Sequence, residues 1–137
     1  MHAYPLSVTQ DGLEQLPPLE ESYLSMTVVR GDPKQSGRVD LEAGASGIYS
    51  GVWECTEGSF DVIYPFHEIA TILSGHLIVT DSEGTRHDFK AGDSFPAVHG
   101  EQVNWDVVAD VRKQYFLWIG PAHPRPPGPP SRRAGAV

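Results

Sequence analysis

A chain of 137 residues suits one domain with a sizeable core, and its 39% hydrophobic and 20% charged residues are ordinary for a globular protein. Eighteen acidic against ten basic residues give a formal charge of -8, which disfavours nucleic acid and gives no reason to expect binding to anionic lipid. Cys55 is the single cysteine, so neither an intrachain disulfide nor a cysteine zinc site can form. The N-terminus lacks a basic segment followed by an apolar run, and no stretch nears the roughly 18 apolar residues of a membrane span. The expected location is cytoplasmic.

In chain order, residues 1–24 hold Pro5, Pro17, Pro18 and the acidic pair Glu20–Glu21. They read as an irregular arm with a short helical turn around Leu13–Leu16, able to wrap the domain or cross to a partner subunit. Residues 25–119 read as all-β, with Val, Ile, Tyr, Phe and Trp in short runs between turn signals. LSMTVVR turns at Gly31-Asp32-Pro33, GIYSGVWEC ends at Glu57-Gly58, and SFDVIY breaks at Pro65. EIATILS closes at Gly75, and HLIVT and TRHDF flank the hairpin connection Asp81–Gly84. DSF follows Gly92, and VNWDVV and RKQYFLWI form two final strands. Short strands at this spacing with no helix between them predict a sandwich or barrel. Residues 120–137 contain six of the twelve prolines, so no apolar face forms there and a polyproline-like or disordered tail is expected.

GVWECTEGSF (51–60), YPFHEIATILSG (64–75), VTDSEG (79–84), AGDSF (91–95) and NWDVVADVRKQY (104–115) resemble, in the same order, the small single-domain cupins of the Cupin_3 type. That group includes the cupin domains of ureidoglycine aminohydrolase and of the ethanolamine-utilisation protein. The resemblance implies a cupin jelly-roll β-barrel and a homodimer, and no single reaction follows from the fold. In the first cupin motif Glu68 holds the glutamate position and Gly75 the closing glycine, while Val62 and Tyr64 replace the paired histidines. In the second, Gly92 is in place and Val103 stands at the third histidine. Three of the four customary ligands are therefore missing.

The chain has six histidines but no HxH or HxxxH pair. His67 precedes Glu68 and leaves the opposite face of a regular strand. His76 lies past the turn at Gly75, His87 on a partly exposed strand, and His99 in a turn. No cofactor is expected; a divalent metal assembled from scattered histidines is the weaker alternative. His67, at the barrel mouth, remains a candidate acid/base or substrate contact against the alternative of a surface histidine.

With Glu68 inward, alternation turns Ala70 and Ile72 inward and places Val62 and Tyr64 on the same face across the Pro65 bend. The later strand turns Val103, Trp105 and Val107 inward. This predicts an apolar, aromatic interior with Glu68 and Tyr64 as its polar groups, the usual composition of a small-molecule site. A buried carboxylate needs a partner. Lys113 and Tyr115 share one face of VRKQY, and Lys113 either points inward, to pair with Glu68 or to grip a substrate carboxylate, or points to solvent. Trp53 reads as core or dimer-interface packing, Cys55 as an inert buried thiol, and Asp93 as a turn residue bonding nearby amides.

Three functions compete. In the first, an enzyme acts on a small nitrogen- or carboxylate-bearing metabolite with Glu68 as acid/base, Tyr64 assisting and Lys113 holding an anion, and Val62, Val103, Trp105, Tyr115 and His67 contacting substrate. A metal-dependent, aminohydrolase-like reaction is a variant that the missing histidines weaken. The second is a non-catalytic binding or sensor cupin, and the third an assembly subunit using the arm and tail.

Overall fold

In the computed structural model, residues 12–21 and 25–119 are described. The expected tail and the first eleven residues of the arm lie outside them. Nine strands follow in order: β1 (Glu14–Gln15), β2 (Met26–Gly31), β3 (Gln35–Ala43), β4 (Ile48–Cys55), β5 (Gly58–Ile63), β6 (His67–Thr80), β7 (Arg86–Lys90), β8 (Ser94–Ala97) and β9 (Gln102–Trp118). Two short 3-10 turns, Leu19–Glu21 and Gly44–Ser46, are the helical segments among the described residues.

β9 organises the barrel. One edge pairs antiparallel with β5 through Gln102–Val107 and then with β4 through Val111–Trp118. Its other edge pairs with β6 along most of its length. The two halves of β6 in turn carry β8 (Glu68–Thr71) and β7 (His76–Thr80). The remaining order, β1-β3-β4 on one side and β5-β2 on the other, wraps this spine into an all-β cupin jelly roll.

Alternation explains the core. Val103, Trp105, Val107, Val111, Lys113 and Leu117 of β9 are all buried, so the same parity faces inward on both sides of the exposed Ala109. In β6 the parity changes. Glu68, Ala70 and Ile72 are buried at even positions, then Leu77 and Val79 at odd ones. The register against β9 shifts between Ile72 and Leu77, around Gly75. Gly75 has φ +92°, and a Cβ there would lie 2.1 Å from the carbonyl oxygen of Asp110, so glycine lets two backbones touch at the bulge.

Several expected boundaries move. Gly75 does not end a strand, so EIATILS and HLIVT are one strand and His76 lies on the same strand as Glu68. VNWDVV and RKQYFLWI are likewise continuous, because pairing with β6 carries the chain through the polar Ala109–Asp110 step. The helical turn expected at Leu13–Leu16 is instead extended. Glu14 and Gln15 pair with Gly37 and Ser36, and the amide of Leu16 donates to the carbonyl of Gln35 at 3.0 Å. β3 had no counterpart in the sequence reading. The Asp81–Gly84 hairpin forms as expected, with the Asp81 carboxylate accepting the amides of Glu83 and Thr85. Asp93 accepts the amide of Lys90 at 2.8 Å, the turn role expected for it. No helix among the described residues is long and apolar enough to cross a membrane.

Candidate functional site

The inner faces of β3, β4, β5, β6 and β9 line a half-open cavity of about 350 Å³. Glu68 enters it from β6 and Lys113 from β9, with Tyr64 from the loop after β5. Lys113 lies in register with Trp53 on one neighbour and with Ile72 on the other, while Glu68 is two inward positions before Ile72. Both residues are buried, at 5% exposure for Glu68 and 7% for Lys113. The Lys113 ammonium donates to Glu68 Oε2 at 2.8 Å. Lys113 therefore points inward and supplies the partner that the buried carboxylate needs.

Aromatic rings hold this pair in place. Lys113 Nζ sits 4.8 Å from the Trp53 ring centroid and 4.7 Å from that of Trp105, within cation–π range of both. The two indoles meet edge to face at 5.6 Å, and Phe60 stacks on Trp105 at 5.7 Å. Each indole N–H is bonded. Trp105 Nε1 donates to the Tyr64 hydroxyl at 3.0 Å, and Trp53 Nε1 donates to Gln35 Oε1 at 2.9 Å. Gln35 Nε2 in turn donates to the Pro17 carbonyl, so one buried amide ties a cavity-wall indole to the N-terminal arm. Leu16 and Glu14 of that arm complete the lining.

Burial pushes the Tyr64 phenol well above its ordinary value of 10.0, and the neighbouring Glu68 charge adds to the rise. Tyr64 is thus a neutral hydroxyl whose oxygen already accepts from Trp105, leaving its proton to be donated. Among the described residues Glu68 Oε1 has no hydrogen-bond partner. Cys55 is buried and its thiol is pushed up to about 12, chiefly by that burial, as suits an unreactive core thiol.

The expected site residues divide. Glu68, Tyr64, Lys113, Trp105, Tyr115 and Val62 all line the cavity. Val103 pairs with Val62 across β5 and β9 but faces a second cavity of about 280 Å³ that Tyr64 also borders. His67 is a correction: it is exposed on the outer face, opposite Glu68, where its Nδ1 accepts the amide of His99 and its ring lies 5.8 Å from Trp118. Strict alternation within β6 puts it there. Trp53, read as packing alone, is a cavity wall beside Lys113; its inward parity was legible, but not the ring's proximity to a β9 ammonium. Gln35 is not legible in the sequence because it lies on β3, whose buried positions are a glutamine and a glycine.

The residues at the customary metal positions do not fit a metal. Val62 and Val103 offer no donor atom, Tyr64 is a phenol held protonated, and the carboxylate of Glu68 already carries an ammonium. His76 and His87 are paired with Asp88 and Asp81 at the surface. No group of three or more His, Cys, Asp or Glu side chains among the described residues is arranged to hold a metal ion.

The all-β jelly-roll barrel is the fold of the cupins. The chain belongs to the Cupin_3 family of EutQ-like cupin domains, whose profile matches residues 37–115, more than half of its length. Solved structures share the fold at low identity. The EutQ protein of Clostridium difficile is 17% identical, with a TM-score of 0.56 over 63% of this chain and 68% of that one. A protein of the DUF861 family from Pseudomonas syringae pv. tomato is 20% identical, with a TM-score of 0.68 over 78% of this chain but 44% of that one. A putative ethanolamine utilization protein Q from Salmonella typhimurium is 20% identical, with a TM-score of 0.56, covering 84% of this chain and 100% of that one. A comparison with curated proteins finds no match.

Proposed function

We propose that this cupin binds a small nitrogen- or carboxylate-bearing metabolite in its 350 Å³ cavity and that Glu68 exchanges a proton with it. One observation carries the reading: Glu68 brings a carboxylate oxygen without a protein partner among the described residues into a cavity otherwise walled largely by aromatic and aliphatic side chains. Such a composition, apolar walls with a few convergent polar groups, is that of a small-molecule site. Lys113 holds the carboxylate in place, and Tyr64 supplies a hydroxyl donor that burial keeps protonated. The donor set argues against a metal-dependent, aminohydrolase-like reaction.

A thermal-shift screen of small carboxylates, amines and ureides, each with and without divalent metals, tests the binding step. Stabilisation by at least one compound without added metal is expected. Stabilisation that strictly requires a metal would overturn the assignment of the cavity. Turnover of a hit compound by the wild type, abolished in Glu68→Gln, supports catalysis; binding with no turnover in either form makes the protein a binding or sensor cupin instead.

We also propose that two copies pair, as the family resemblance implies, through the outer face of β6 and β9. Ile69 and Phe116 are register partners there, and both are exposed beside Trp118. A monomer by light scattering at micromolar concentration would refute it.

A further inference from the structure

We infer that the occupant of this cavity is an uncharged polar molecule that donates a hydrogen bond to Glu68 and accepts one from Tyr64. The inference rests on the cavity-binding reading above and selects, within it, neutral nitrogen compounds such as amides and ureas over carboxylates and amines.

The ground is charge balance. Glu68 and Lys113 are 2.8 Å apart with side-chain exposures of 3% and 9%, so the buried charge of the cavity is already cancelled. Arg38, also on the lining, is paired with Asp40 at 2.7 Å. Glu14, the remaining ionic residue of the lining among the described residues, is exposed. A carboxylate ligand would have to draw Lys113 away from Glu68 or add an uncompensated negative charge beside it. An ammonium ligand would do the reverse. Either leaves a net charge among indole and phenyl rings that offer it no counter-charge.

A neutral ligand leaves the pair intact and uses what the pair does not. Glu68 Oε1 is an acceptor without a protein donor among the described residues. The Tyr64 hydroxyl accepts from Trp105, and its own proton has no acceptor among the described residues. Lys113 directs its ammonium at two indole faces and contributes position rather than an open charge. One open acceptor and one open donor match a group carrying both N–H and C=O.

The test uses the full chain at neutral pH and two matched sets: isobutyramide, isobutyrate and isobutylamine, then benzamide, benzoate and benzylamine. Thermal shift and ligand-observed NMR competition rank each set. The amide is expected to bind at least about tenfold more tightly than either ion of the same skeleton. Glu68→Gln, which leaves Lys113 uncompensated, should turn the preference toward the carboxylate, and Lys113→Met toward the amine. Should either single variant fail to fold, the double variant Glu68→Gln/Lys113→Met, again without net charge, should return the preference to the amide. A carboxylate or amine that equals or beats its amide on the wild type overturns the inference while leaving cavity binding intact, and so does a double variant that prefers an ion. If no member of either set affects the wild type, the cavity-binding reading fails and the charge argument falls with it.

Discussion

Lys113→Met offers the sharpest physical test of the site. Methionine approximates the volume of the lysine stem and remains compatible with two flanking indoles, so the change removes charge while disturbing packing little. What it leaves is Glu68, at 5% exposure, stripped of the ammonium that sits 2.8 Å from Oε2. Breaking a buried pair on one side typically costs about 3–5 kcal/mol, because the stranded charge keeps its full desolvation penalty. At about 3 °C per kcal/mol for a domain of this size, the melting temperature should fall by about 10–15 °C. Glu68→Gln should cost a similar amount from the other side. The double variant removes both charges together and should lie within about 1–2 kcal/mol of the wild type. Urea denaturation of all four forms gives the coupling energy directly. A single variant that loses less than about 1 kcal/mol, or a double variant that loses the sum of the two, would refute a tightly coupled buried pair.

Three other outcomes follow from the same structure. The Cys55 thiol keeps its proton up to about pH 12 when folded but releases it from about 9.0 when unfolded, so stability should decline as pH rises through that window. The slope is at most about 1.4 kcal/mol per pH unit. Cys55→Ala should flatten it, leaving the same-signed contribution of Tyr64 above pH 10.0, and a slope unchanged by the substitution would contradict a buried thiol. Gly75→Ala sets a Cβ 2.1 Å from the Asp110 carbonyl at φ +92° and should cost more than about 2 kcal/mol by urea titration; a neutral effect would mean the β6 bulge can relax. Gln35→Leu deprives the Trp53 indole N–H of its acceptor and the Pro17 carbonyl of its donor. A loss of about 1–3 kcal/mol and faster proteolysis within residues 12–21 are expected, and unchanged cleavage would show that the arm is held by β1 alone.

Parts of the site were legible because they depend on local alternation. Glu68 inward implied Ala70 and Ile72 inward, and the same rule put Trp105 and Val107 beside them, all of which the structure bears out. His67, adjacent to Glu68, faces outward by that rule, as expected, and its candidacy as a substrate contact at the barrel mouth fails because it does not reach the cavity lining. β3 is not legible in the sequence because Gln35–Ala43 buries a glutamine and a glycine while its apolar Val39 and Leu41 are exposed, so hydrophobic alternation has nothing to register.

The chain's own letters determined an all-β barrel of cupin type, the carboxylate at position 68 and the loss of metal donors at 62 and 103. The all-β pattern follows from a period of two, and the cupin type, the glutamate position and the missing donors follow from the resemblance of five segments to Cupin_3 domains. The tertiary structure alone decided where Lys113 points. Trp105 and Lys113 have the same parity, but the sequence suggests a break at the polar Ala109–Asp110 step, and parity cannot be carried across a break. Pairing of β9 with β6 and β4 keeps that strand continuous, so its parity persists to Lys113. In β6 a bulge at Gly75 reverses the parity instead. Strand continuity is set by partners distant in sequence, and that is why the ammonium of one strand meets the carboxylate of another only in the folded barrel.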